Sequence, residues 1–296
     1  MDKRYTLPLT AALGGAAAWV LRLLQNRTGF EADTGLPVPG DPATLALAVL
    51  LAGLGAALAL ASRLLPAEED PGPVLPRDFS TASAGLLTLP MCGVFLIALS
   101  GLADLAESFR MFPAEGIVSS RHAIYGILRA GGMGYSPRSQ LLMGVLALAA
   151  AASLFPVLAG CRRREGVPPS RRAPSAITLL PVGALVVRLV LTYRIDSVNP
   201  SLSMYYVELL ALVFLTLAFY RLSSFAFQAG QTRRFALYAG AAVVLCAASL
   251  ADGSAYLSSL LLYAGGAVTL LGLLLLRIAN AIEAEQDDGT IIGPVE

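Results

Sequence analysis

Residues 176–222 read AITLLPVGALVVRLVLTYRIDSVNPSLSMYYVELLALVFLTLAFYRL. Two apolar runs flank a polar turn at Asp196-Ser197-Val198-Asn199-Pro200, and each run holds one ionisable residue well inside it, Arg188 before the turn and Glu208 after it. Both lie at the same sequence distance from Val198. With both arms helical, rising about 1.5 Å per residue, the guanidinium and the carboxylate come to similar depth. A charge near a bilayer centre costs roughly 2.5–3.5 kcal/mol on insertion scales, so it faces a bundle interior or a wet cavity and takes a partner. Arg188 is therefore expected to pair with Glu208.

The same kind of apolar run recurs along the whole chain. Of its 296 residues 56% are hydrophobic and 14% charged, with a mean hydropathy of +0.69. Soluble domains carry about 25% charge, so the composition describes an all-α, polytopic membrane protein whose obligatory partner is the lipid bilayer. Eight segments qualify: Leu7–Leu24, Ala43–Ala61, Ala82–Ala103, Leu141–Cys161, Ala176–Thr192, Leu202–Tyr220, Phe235–Ala251 and Ala255–Leu276. Each is near the roughly 17–25 residues needed to cross a hydrocarbon core. Lys3 and Arg4 ahead of the first run imitate a signal peptide, but the run continues past Trp19 to Leu24 and reads as a retained helix.

Formal net charge is +1, which gives no case for nucleic acid or an acidic partner. The distribution of basic residues is more informative. If the loop from Arg162 to Arg172 is cytoplasmic, both termini are too, and thirteen basic residues fall on that side against eight on the other. The linker 162–175 separates a first four-helix half, 1–161, from a second, 176–282, followed by an acidic tail, 283–296, expected to be disordered. Four helices per half give both halves one orientation, the arrangement of parallel repeats. Arg22-Leu23 matches Arg188-Leu189, and Ser100-Gly101-Leu102-Ala103-Asp104 matches Ala248-Ser249-Leu250-Ala251-Asp252. Gly53 and Gly55 are expected to permit close helix approach, and Pro90 to kink the third helix. The loop 105–138 is the longest connection, with an interfacial helix expected over Ile117–Arg129.

On this topology Arg22, Arg188, Glu208, Asp104 and Asp252 fall in or at the outer half of the membrane, with Tyr205 and Tyr206 beside Glu208. A mixed-sign group with tyrosines can form an outward-facing vestibule for a small polar or zwitterionic solute. The plainer alternative is that Arg188 and Glu208 tie the fifth and sixth helices together while the two aspartates end their helices in water. Catalytic and metal signatures are missing: there is no phosphate loop, paired-histidine motif or nucleophile elbow, and the three cysteines, Cys92, Cys161 and Cys246, are unpaired in spacing. His122, the only histidine, has no second ligand candidate, so no cofactor or metal is expected. The reading is a membrane protein that binds or transports a small polar solute through the locus between helices 5 and 6. The alternative is a non-catalytic structural, sensing or partner-binding component engaging another membrane protein.

The sixth segment, YYVELLALVFLTLAFYRLSSFAF from Tyr205, together with VRLVLTYR from Val187, resembles uncharacterised multi-pass membrane proteins of anaerobic Gram-positive bacteria. The resemblance implies an eight-helix protein of the bacterial cytoplasmic membrane and brings no activity or site.

Overall fold

The computed structural model describes residues 3–31, 36–65, 74–117, 136–162, 176–196, 202–253 and 256–291. Eight helices long and apolar enough to cross a membrane account for nearly all of them: α1 (Lys3–Thr28), α2 (Pro42–Arg63), α3 (Ala84–Ile117), α4 (Pro137–Gly160), α5 (Leu180–Asp196), α6 (Leu202–Ala226), α7 (Thr232–Ser249) and α8 (Leu257–Ile291). The chain is thus a multi-pass membrane protein by the length and composition of its helices. The expected interfacial helix beyond Ile117, His122 and the arginines after Arg162 lie outside the described residues.

Local sequence chemistry sets the helix starts. Asp41 caps α2 by accepting the Thr44 backbone N–H at 2.8 Å, with Pro42 in the first turn. Ser136 caps α4 in the same way through Ser139, with Pro137 following. A proline there loses nothing, because its missing N–H would have had no intrahelical partner.

α7 lies at the centre, packed against α1, α2, α6 and α8. α2 is at the rim, with Leu45, Val49 and Leu60 each more than 60% exposed, which suits a face turned to acyl chains. In lipid there is little hydrophobic drive between helices, so association depends on how closely backbones approach. α3 crosses α8 where a Cβ added at Gly265 would come 2.7 Å from the Gly93 carbonyl oxygen. It crosses α4 where Gly101 and Gly144 each leave only 2.9 Å to the other's carbonyl oxygen. The expectation for Gly53 and Gly55 is corrected here: nothing lies within 4 Å of either position, so the close approaches belong to α3, α4 and α8 instead. Pro90 packs on Gly272 of α8.

Two helices outrun their apolar segments. α3 continues past Asp104 to Ile117, so the first part of the 105–138 connection is helix and Asp104 lies inside α3 rather than at its end. α8 continues to Ile291, through most of the stretch read as a disordered tail. The bundle therefore has an aspartate end, marked by Asp104 and Asp252, and an opposite aromatic end. At the latter, Phe79, just before α3, meets Phe225 and Phe235 edge to face at centroid distances of 5.1 and 5.9 Å.

Candidate functional site

The polar residues of the aspartate end are assembled by four-residue spacing on α3. Ser100, Asp104 and Ser108 recur every fourth residue, share one helix face, and are all buried. Asp104 receives Arg188 of α5, Nη1 to Oδ2 at 2.8 Å, and both side chains are almost completely enclosed. Nη2 of the same guanidinium donates to the hydroxyls of Ser258 and Ser259 at the start of α8, at 3.4 and 3.1 Å. Ser100 donates to the Ser258 carbonyl at 2.7 Å, so α3, α5 and α8 share one knot. Asp104, read from the sequence as a helix-end residue, is thus a carboxylate partner of Arg188. Glu208 accepts a 2.7 Å hydrogen bond from the Tyr263 hydroxyl, which joins α6 to α8.

A second knot has Arg22 as its cation. Its Nε donates to Asp252 Oδ1 at 2.5 Å and its Nη1 to Gln25 Oε1 at 2.6 Å. Gln25 passes the chain on to the Thr44 hydroxyl, which donates in turn to Asp41 Oδ2. Asn26 closes the other side, donating to the Ala251 carbonyl and to Asp252. The Arg22 guanidinium also lies 5.6 Å from the Tyr206 ring centroid, a distance at which the ring's negative face attracts a cation. Arg22 is 1% exposed and held inside, so it does not snorkel to the interface. Tyr205 is half-buried one residue away and takes no part in either ion pair.

The two ion pairs are reciprocal. Arg22, from the first half, pairs with Asp252 of the second, and Arg188, from the second, pairs with Asp104 of the first. These are the four residues that the sequence comparison of the halves had matched two by two. Neither aspartate ends its helix in bulk water. Removing one member of a buried pair costs about 3–5 kcal/mol, because the other charge stays behind uncompensated. The pairs therefore fix which helices meet at this end.

A cavity of about 300 Å³ opens beside the Arg188 knot, lined by Glu107 and Arg110 of α3, Gln140 of α4, and Tyr256 and Ser258. At about 30 Å³ per water it has room for several waters or a small organic solute. Gln140 is fully buried and neither its amide nitrogen nor its amide oxygen has a hydrogen-bond partner. Leaving buried polar atoms unmade costs about 1–3 kcal/mol each, so such an amide is informative where it borders open space. Asp104 Oδ1 is likewise buried and without a partner. On the other side of Arg188 the interior is apolar, with a remaining void of only about 20 Å³ among Ile97, Met143, Leu185, Leu215 and Leu262. Arg188 borders that apolar void and reaches the polar cavity through Ser258.

Sequence reading missed Gln140, Gln25, Ser258, Ser259 and Tyr263. Serines and glutamines near helix ends are common enough to pass unremarked. Only the Ser100–Asp104–Ser108 spacing carried a detectable signal, and it was overlooked because the apolar run was taken to stop at Ala103. Among the described residues no group of three or more His, Cys, Asp or Glu side chains could hold a metal. Comparison of the chain with protein-family models, with curated proteins and with solved structures returns no match.

Proposed function

We propose that this protein binds a small polar solute from the outer face of a bacterial cytoplasmic membrane, and transports it through the same site. The observation that carries the reading is Gln140: a buried amide with a donor and an acceptor both unused, bordering a 300 Å³ cavity. A hydrogen-bonding solute satisfies both. Glu107 and Arg110, 3.8 Å apart, place charges of both signs at the same cavity and favour a zwitterionic or neutral solute over an ion of one sign. Ser258 lines the cavity and also accepts from Arg188, so occupancy is felt at the Arg188–Asp104 ion pair. The distribution of basic residues supports placing the aspartate end outside. The reciprocal Arg–Asp exchange supports descent of the two four-helix halves from one ancestor.

The test is thermal stabilisation of the purified full-length protein in detergent by a panel of amino acids, amides, polyols and betaines. At least one member is expected to raise the melting temperature of the native protein and to lose that effect in Gln140→Leu, a near-isosteric change that removes both hydrogen-bonding atoms. A panel with no hit, or a hit that Gln140→Leu leaves unchanged, sinks the proposal.

A second reading, a non-catalytic structural or partner-binding membrane component, draws its support from the Arg22 knot, whose hydrogen bonds close on residues of the chain itself. It expects no solute response and a crosslinked protein partner in native membranes.

A further inference from the structure

We infer that the membrane face of α3 carries a site for one acidic glycerophospholipid, with an acyl chain along the helix and the phosphate on Arg162. This site is at the opposite end of α3 from the Gln140 cavity and does not depend on the solute reading.

A groove of about 620 Å³ runs along the first half of α3, walled by Leu87, Met91, Cys92, Phe95 and Leu96, with Arg162 at its mouth. Its wall is apolar and open to the membrane: Phe95 is 57% exposed and Cys92 is exposed as well. From Ala84 to Leu96 the lining extends about 18 Å at roughly 1.5 Å per residue. One leaflet of a hydrocarbon core about 30 Å thick is roughly 15 Å deep. The groove therefore has the reach of a single acyl chain, starting at the interface.

What distinguishes it from the general lipid-facing surface is the cation. Arg162 is exposed, and among the described residues no carboxylate lies within salt-bridge distance of it. Its backbone is fixed beside the entry to α3: Thr81 pairs with Arg162 as an isolated bridge, and the Thr81 N–H donates to the Cys161 carbonyl at 2.9 Å. The guanidinium is thus tethered at one end of an apolar channel, the relation that a phosphate has to its acyl chain. A guanidinium fork matches phosphate oxygens in a way that a choline headgroup, with its own cation, opposes. Arg163 and Arg164 follow directly in sequence, as do Arg171 and Arg172 nearby. Such a basic segment attracts acidic headgroups in general, so the experiment has to separate this site from that background.

Native mass spectrometry and thermal shift of the full chain in neutral detergent, titrated with dioleoyl phosphatidylglycerol or dioleoyl phosphatidylcholine, provide the measurement. One phosphatidylglycerol is expected to bind in preference to phosphatidylcholine. Arg162→Gln should weaken it roughly fivefold, the effect of one interfacial cation, and Arg164→Gln distinctly less. Cys92→Trp, a change on an exposed face that the fold tolerates, should block the channel and weaken both lipids. Equal losses for Arg162→Gln and Arg164→Gln would overturn the site in favour of diffuse surface attraction. Cys92→Trp without effect would remove the groove from the argument, and competition by inorganic phosphate alone would show a plain anion site instead of a lipid site.

Discussion

Buried arginines occur at both ends of the bundle, and the contacts around Arg188 and Arg277 differ in kind. Arg188, 3% exposed, faces the Asp104 carboxylate and two serine hydroxyls. Arg277, 7% exposed, gives its Nε to the Thr232 hydroxyl at 2.7 Å and lies 6.0 Å from the Phe225 ring centroid, on the border of the Phe79–Phe225–Phe235 cluster. Charge-on-charge contacts in a low dielectric are directional and fail abruptly when one partner is lost. Aromatic contacts depend on area and shape and fail in proportion to what is removed. The aspartate end is accordingly specified but brittle, whereas the aromatic end is held by packing.

The largest break in this comparison is expected from Asp104→Ala, which leaves the Arg188 guanidinium buried without its carboxylate. It should cost about 3–5 kcal/mol in unfolding from mixed micelles, and Arg188→Met combined with Asp104→Leu should recover most of that loss. A single variant within the error of the native protein would show that Arg188 finds water or another carboxylate, and the aspartate end would not be brittle.

At the other end, Phe79→Ala should cost about 3 kcal/mol, with Phe79→Leu losing distinctly less. That graded response is the signature of packing. If Phe79→Leu is as damaging as Phe79→Ala, ring geometry rather than area holds the aromatic end together.

A smaller effect of opposite sign is expected at Gln140. Replacing its unpartnered amide by leucine should raise stability by about 1 kcal/mol in the same unfolding assay, while removing the response to solute. Gain in stability with loss of binding would identify a group kept for function at a cost to the fold. A loss of stability would instead show that Gln140 is satisfied within the protein.

The smallest expected effect is at Asp41, outside the spans, where the carboxylate caps α2. The Thr44 backbone N–H, assisted by the Thr44 and Thr28 hydroxyls, outweighs the effect of burial and holds the Asp41 carboxyl below its ordinary value of 3.8. A carboxylate with a depressed folded pKa contributes stability that is present above its unfolded pKa and is lost as pH falls through the folded one. Native protein should therefore lose stability on acidification below the ordinary carboxylate range. Asp41→Asn, which still caps, should have a flatter profile there and behave like native protein at neutral pH. Superimposable acid profiles would exclude a contribution from this cap.

The sequence was most legible where the physics is one-dimensional. A crossing needs a certain length of apolar residues, whatever it packs against, so all eight spans could be read from run length alone, although α3 and α8 run on well past the limits read for them. The costly residues were legible too. Arg22, Arg188, Asp104 and Asp252 stand out because a charge within or beside an apolar run demands an explanation. Equal depth suggests contact between Arg188 and Glu208, but it gives no sign of the Asp104 carboxylate that Arg188 meets. Depth fixes one coordinate of a side chain, while contact also needs the rotation of each helix and the identity of its neighbours. Asp104 lies 84 positions from Arg188 and on a helix two crossings away in the chain.

What the sequence by itself determined is a membrane bundle of eight apolar helices with Arg22, Arg188, Asp104 and Asp252 marked as costly charges, because transfer into hydrocarbon is priced residue by residue. Only the tertiary structure decided which charges meet. That choice rests on where Gly93 and Gly265, and Gly101 and Gly144, let α3 sink between α8 and α4. The crossings carry Asp104 to Arg188 and leave the buried Gln140 amide without a hydrogen-bond partner beside the cavity, and they follow from backbone approach between distant segments, which no local pattern records.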